Sequence, residues 1–370
     1  MRIAILTLPL HTNFGGILQC YALQTVLERM GHEVTVLNTK FKNVSCKVRA
    51  EIFIKRLVKT ILRKESRFYG WKTDIEVTHQ YTQAFIDKYI HIRNISDLFL
   101  LRDGEFDAIV VGSDQIWRPL YYQPIANAYL NFAKNWTSIK RVAYAASFGV
   151  DKWEYTPEET EECASLLKLF NAVSVRESSG IDLCRKNLER EAVQVLDPTL
   201  LLTKEDYESF TTRPIAKRQN GGLCYYFLDT TSDKLRLAKK IAEKHRLISY
   251  EAANNSDTEK YYLHFEKRIQ KPIEQWLADL MDASFIVTDS FHGCVFSIIF
   301  NKPFIAIENV KRGIARLKSL LSMFGLDNRL ISISDCSSIQ QMQEIKWDNV
   351  NRILNENRES SLSFLREINN

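Results

Sequence analysis

Phe285-Ile-Val-Thr-Asp-Ser-Phe-His-Gly293, running on into Cys294-Val-Phe-Ser-Ile-Ile-Phe-Asn-Lys-Pro-Phe304, sets two apolar runs on either side of a polar turn. Residues 285–287 have the make-up of a short buried strand, and residues 294–300 read as an apolar helix. Thr288, Asp289, Ser290 and His292 crowd the turn. Such a turn lies at the carboxyl end of a strand, where open α/β sheets bind ligands, and the following helix directs free backbone N–H groups at an anion. Gly293 allows close backbone approach, and Asp289 or Ser290 can hydrogen-bond an imidazole or a ligand. His292 is then either a satisfied core residue or a proton-transfer group beside an anion hole.

The same alternation opens the chain. Residues 3–8 read as a strand, 9–16 as a polar turn with paired glycines, 17–30 as an amphipathic helix stopped by Gly31, and 33–38 as a second strand. Asn13-Phe-Gly-Gly16 is not the dinucleotide fingerprint, so no NAD site follows. Asn13, Gly15, Gly16 and Gln19 are candidates for ligand contact, a tight turn being the plainer alternative. Residues 42–100 lack strand alternation and read as a helical insertion. Within it Phe53, Ile54, Leu57, Val58, Ile61 and Leu62 form an apolar stripe, and Lys55, Arg56, Lys59, Arg63 and Lys64 a basic face. That face rests on an anionic membrane, guides an acidic acceptor, or is simply solvated.

The parallel-sheet rhythm resumes with a strand at 106–112 and the turn Ser113-Asp114-Gln115-Ile116-Trp117, followed by strands at 141–147, 172–175 and 192–196 and helices near 158–169 and 178–188. Ser113 and Asp114 stand at one strand end, Arg176 and Glu177 at another. Arg176 can clamp an anion with its planar fork or pair locally with Glu177. Apolar periodicity lapses from Asp197-Pro198 to Gly221-Gly222. A second series follows, with strands at 223–228, 247–251, 285–288 and 304–307, and helices near 232–244, 273–282, 293–300 and 314–324. These signals predict an α/β fold of two Rossmann-like domains: residues 1–205, carrying the insertion at 42–100, and residues 206–345. A polar helix at 346–370 crosses back onto the first domain.

Bulk composition agrees with two domains, because 370 residues at 45% hydrophobic content exceed one ordinary core. A charged fraction of 26% argues against disorder, and a net charge of +5 suits an acidic small substrate or anionic surface rather than nucleic acid. Seven cysteines without CxxC spacing point away from zinc and disulfides, and toward a reducing compartment. The apolar start is broken at His11, Thr12 and Asn13, well short of a membrane span and without a signal-cleavage region, so a cytoplasmic protein is expected.

Several segments, in order, resemble the polysaccharide pyruvyl transferase family: residues 13–24, Val111-Gly-Ser-Asp-Gln-Ile-Trp117, Tyr144-Ala-Ala-Ser-Phe-Gly149, Val173-Ser-Val-Arg-Glu177, Leu196-Asp-Pro-Thr199, and Thr288-Asp-Ser-Phe-His-Gly293 with Asn301-Lys-Pro-Phe304. The resemblance implies a fold similar to glycosyltransferase type B architecture. It also implies transfer of pyruvate from phosphoenolpyruvate, with no cofactor or metal, onto a glycan or lipid-linked oligosaccharide as a ketal. His292 matches the family's residue acting on the donor, and Arg176 the basic residue of the opposite domain. Asp114 would take or orient an acceptor hydroxyl. Several family members have Arg two residues before this His, whereas this chain has Ser290; Arg312 and Arg316 are candidate replacements. A nucleotide-sugar-dependent glycosyltransferase and a non-catalytic component of polysaccharide assembly are the alternatives.

Overall fold

The computed structural model describes residues 1–39, 46–61, 72–211, 221–253, 269–334 and 343–369. Its seven-stranded sheet contains β1 (Arg2–Leu6), β2 (Glu33–Asn38), β3 (Ile92–Asn94), β4 (Ala108–Val111), β5 (Lys140–Ala146), β6 (Ala172–Val175) and β7 (Val193–Gln194). The order is β3-β2-β1-β4-β5-β6-β7 and every pairing is parallel. The second sheet, of five parallel strands, holds β8 (Leu223–Tyr226), β9 (Ser249–Glu251), β10 (Phe285–Thr288), β11 (Phe304–Ile307) and β12 (Leu330–Ile331) in the order β12-β11-β10-β8-β9. Two separate parallel sheets of Rossmann-like winding facing a cleft make the glycosyltransferase type B arrangement.

The uninterrupted apolar runs follow from burial on both faces. Ile3, Ala4, Ile5 and Leu6 of β1 are each 0% exposed, as expected for the middle of a sheet covered by helices on either side. The helix Phe14–Arg29 follows β1 directly, its N-cap Asn13 accepting from the N–H of Gly16. It starts three residues before the sequence signal, because Gly15 and Gly16 lie in its first turn rather than in the preceding loop. The stretch expected to be all helical contains helices at Cys46–Ile61, Asp74–Thr78 and Gln80–Tyr89 but also β3, an edge strand too short to alternate.

One apolar core runs across both sheets. The ring of Phe14 packs 5.4 Å from that of Trp276, and Tyr207 lies edge-on to Phe296 at 5.0 Å. Truncating a fully buried aromatic such as Trp276 to alanine costs about 3–5 kcal/mol, so this junction is a stiff one. Ser319 adds polar ties, its hydroxyl accepting from the N–H of Ser178 and the side chain of Gln194. The terminal helix Trp347–Arg366 lies on the first domain: Arg358 donates to the Leu200 carbonyl, Ser361 accepts from the N–H of Leu196, and Phe364 meets Tyr144.

Candidate active site

In each sheet the chain winds away in opposite directions from one central strand. β1 is flanked by β2 and β4, and β8 by β9 and β10. These reversal points leave crevices beyond the carboxyl ends of the strands, and here the two crevices face each other. A cavity of about 380 Å³ lies between them. Its wall comes from residues 8–14 after β1, Asp114 and Gln115 after β4, residues 226–228 after β8, residues 289–292 after β10, and Asn309, Arg312 and Arg316 after β11.

Two helix N-termini open toward this cavity, that of Phe14–Arg29 and that of Phe291–Ile299, whose N-cap Ser290 accepts from the N–H of Gly293. The second helix begins earlier than its apolar run suggests. His292 therefore sits in its first turn and not in a loop, because Ser290 captures the N-terminus. The imidazole is 7% exposed and lies against Gly15, where a Cβ would come within 2.0 Å of Nδ1. Only glycine leaves room there for a histidine from the facing domain. Nε2 of His292 is turned inward, 3.7 Å from Oδ2 of Asp197.

Asp197 is held from several sides. Thr199 donates to Oδ1 from its N–H and its hydroxyl at 3.0 and 2.6 Å, and Nη1 of Arg176 reaches Oδ2 at 2.7 Å. Burial works against its charge, but His292, Arg176 and Thr199 outweigh it and hold the carboxyl well below the usual carboxylate range. Arg176 is as deeply buried. Its Nη2 lies 3.3 Å from Asp114, and its guanidinium stacks 4.4 Å from the centre of the Phe291 ring. Desolvation is the largest influence on it too, yet Asp197, Asp114 and Glu177 raise its pKa overall.

Among the described residues, the arginines that reach the cavity are Arg312 and Arg316. Arg312 makes a bidentate pair with Asp229 at 2.9 and 3.0 Å, which raises its pKa. Arg316 donates only to the carbonyl of Arg312, and its Nε has no hydrogen-bond partner. Burial, with Arg176 nearby, pulls its pKa down to about 10. A guanidinium in that condition is still charged at neutral pH and presents unused donors to a ligand anion.

The other expected site residues divide into two groups. Asn13, Gly16, Asp114, Asp289, Ser290 and His292 line the cavity with the two arginines, whereas Gly15, Gln19, Ser113, Arg176, Glu177 and Gly293 do not. Gln19 is spent on Thr7, the Gly16 carbonyl and the Ser113 N–H. Glu177 accepts from Ser147 and the N–H groups of Phe148 and Gly149 rather than pairing with Arg176. Asp289 accepts from Lys234 at 2.5 Å, from Asn309 and from the N–H of Leu228, so it organises the second domain's loops and does not back the imidazole. Gly293 packs on Thr288. Sequence reasoning missed Asp197 as a site residue, although its place just beyond a strand was a usable signal. It also missed the wall of Tyr121, Tyr226, Phe227 and Phe291. Asp114 holds φ 56, a strained left-handed conformation for a non-glycine residue. Among the described residues no group of three His, Cys, Asp or Glu side chains is placed to hold a metal ion.

The profile of the family described as polysaccharide pyruvyl transferase matches residues 13–311. The chain belongs to that family. The match takes in both crevices of the cleft, from Asn13 to the segment after β11. Among solved structures, a UDP-GlcNAc 2-epimerase from Neisseria meningitidis is 9% identical with a TM-score of 0.50, covering 100% of this chain and 99% of its own. The calicheamicin glycosyltransferase is 12% identical with a TM-score of 0.47, covering 100% and 96%. At 9% identity the likeness to the epimerase is one of fold alone. No curated protein matches the sequence significantly. As a member of that family the chain is a transferase.

Proposed function

We propose that this protein transfers pyruvate from phosphoenolpyruvate onto two neighbouring hydroxyls of a sugar, forming a ketal and releasing phosphate. The observation that carries the reading is Arg316, a buried cation with spare donors that lines the same cavity as His292 and lies 5.9 Å from the centre of the Phe291 ring in the first turn of the second helix. Phosphoenolpyruvate offers a carboxylate and a phosphate, both suited to a guanidinium and free backbone N–H groups. Arg316 replaces the arginine that Ser290 lacks, while Arg312, already bound to Asp229, shapes the site.

The methylene carbon of the donor takes a proton from His292 and becomes the methyl group. Cationic character then develops at C2, offset by the carboxylate attached to it. One sugar hydroxyl adds to C2 and a second displaces phosphate. Of the two hydroxyl protons released, one restores the histidine and the other leaves with phosphate. Asp114, at the cavity edge and tethered to Arg176, orients the acceptor hydroxyls. The aromatic wall of Tyr226 and Phe227 gives the sugar a face to lie on.

A lipid-linked acceptor would be met at a membrane. The helix Cys46–Ile61 leaves Ile54, Leu57, Val58 and Ile61 exposed, with Lys55 exposed beside them. It is hooked to the segment Asp74–Thr78 by the Arg49–Glu76 pair at 2.8 Å. The cavity-lining Gln270 donates its N–H to Thr78 of that segment, so the helix stands near the cleft. Leu62, Arg63 and Lys64, and the side chains of Arg56 and Lys59, lie outside the described residues. No helix of the described residues is long and apolar enough to cross a membrane, so such contact would be peripheral.

The test is consumption of phosphoenolpyruvate over a panel of glycan acceptors, with the ketal methyl detected in the product. Release of nucleoside diphosphate from a nucleotide-sugar, with phosphoenolpyruvate untouched, would replace this reading by glycosyl transfer. Turnover of neither donor would leave an assembly component.

A further inference from the structure

We propose that Asp197 is a positioning residue for His292: reaching across the cleft, it keeps the proton on Nε2 and leaves Nδ1 as the nitrogen that exchanges a proton with the ligand. The inference rests on His292 being the proton-transfer group, but its first test needs no substrate. Asp197 belongs to the loop after β7 of one sheet, and His292 to the helix after β10 of the other. Their contact at 3.7 Å is made through the shared core, where Phe14 and Trp276 hold the two domains together.

Three observations favour a built pair over a chance approach. Nε2 is fully buried with no hydrogen-bond partner, and the carboxylate of Asp197, 3.7 Å away, is the charged acceptor it faces. Asp197 cannot swing away, because Thr199 grips one oxygen twice while Arg176 and Ser113 hold the other. The ring cannot rotate freely either, because Gly15 lies flush against it. A histidine near a helix N-terminus feels the positive end of the dipole, which disfavours the imidazolium. A fixed carboxylate opposes that field and selects the tautomer.

The other charges around the ring are Arg176, which shares Oδ2 of Asp197, Asp114 beyond it, and Arg316 and Asp289 on the cavity wall. Asp289 is already neutralised by Lys234. Without the Asp197 carboxylate the acceptor facing Nε2 is lost, and the tautomer preference goes with it.

The experiment is nitrogen-15 NMR of the histidine rings across a pH titration, with His292 identified by the signals absent from His292→Asn. In the unmodified protein the neutral ring of His292 is expected as the Nε2–H tautomer. The Nδ1–H tautomer would overturn the proposal even if no variant folds. In Asp197→Asn the preference for the Nε2–H tautomer should be lost. Thr199→Val, which keeps the carboxylate but loosens its grip, should leave the tautomer in place. An unchanged tautomer in Asp197→Asn, or an equal loss of preference in Thr199→Val, would show that packing rather than charge governs the ring. If phosphoenolpyruvate proves not to be the donor, these ring signals still decide the matter.

Discussion

Gly15 and His292 stand face to face across the domain junction, so close that a single methyl on the glycine would lie 2.0 Å from the imidazole Nδ1. Both belong to first turns of helices, one from each half of the cleft. Gly15→Ala should displace the ring and destabilise the protein by about 1–3 kcal/mol, the usual cost of overpacking. Gly15→Ala combined with His292→Ala should recover most of that loss. Urea denaturation of the four proteins measures the coupling, and additive effects would mean that the two residues do not press on each other.

His292→Asn keeps size and some hydrogen bonding but cannot titrate. Its turnover should fall by roughly two to four orders of magnitude at unchanged thermal stability. Near-normal rates with saturating donor and acceptor would make the imidazole a packing element only.

Arg316→Ala should weaken phosphoenolpyruvate binding about 10- to 100-fold, in line with the loss of a charge-assisted contact of about 1.5–3 kcal/mol. Arg316→Lys should recover part of it, since the charge remains but the fork does not. Arg176→Ala should instead lower stability, because it strands two buried carboxylates. Calorimetric titration with the donor separates these outcomes, and undiminished affinity in Arg316→Ala would remove that residue from the anion site.

How much of this was legible beforehand depended on burial. Strands such as β1, β4 and β10 announce themselves because both faces are covered, giving runs without polar interruption. β3 and β12, of three and two residues, carry no periodicity and escaped notice. The start of the helix at Phe291 was hidden because Ser-Phe-His-Gly has the composition of a turn. Arg176 could be set at a strand end from the sequence, but not the fact that Asp114 and Asp197, distant in the chain, already claim its guanidinium. Asp197 stood in plain view within Leu196-Asp-Pro-Thr199. Its link to His292 exists only in three dimensions.

Acid should loosen the junction in a defined window. The carboxyl of Asp197 lies below its ordinary range when folded, whereas an unfolded aspartate titrates near about 3.9. As the pH falls through that value the unfolded chain binds protons first, so stability is fully present above it and lost down to the folded pKa. The urea midpoint should therefore drop more steeply between pH 5 and pH 3, taken as about one unit either side of the unfolded pKa, than it does in Asp197→Asn. Parallel curves would contradict the depressed carboxyl.

If the exposed face of Cys46–Ile61 meets a membrane, the protein should sediment with anionic vesicles, less so as salt rises. Ile54→Asp with Leu57→Asp should abolish binding. Sedimentation that is absent, or indifferent to salt, would leave an ordinary solvated face.

The terminal helix carries a consequence for how the molecule is made. The seven-stranded sheet is completed by residue 194, yet its core also takes in Leu354, Leu365 and Ile368 near the end of the chain. A ribosome therefore releases everything needed for the five-stranded domain before it releases the last piece of the seven-stranded one. The half that begins synthesis first is finished last. A chain cut short before Trp347 would carry every residue of the cleft and still leave the Leu196–Leu202 segment, with Asp197 in it, bare on the side that Arg358 and Ser361 normally cover.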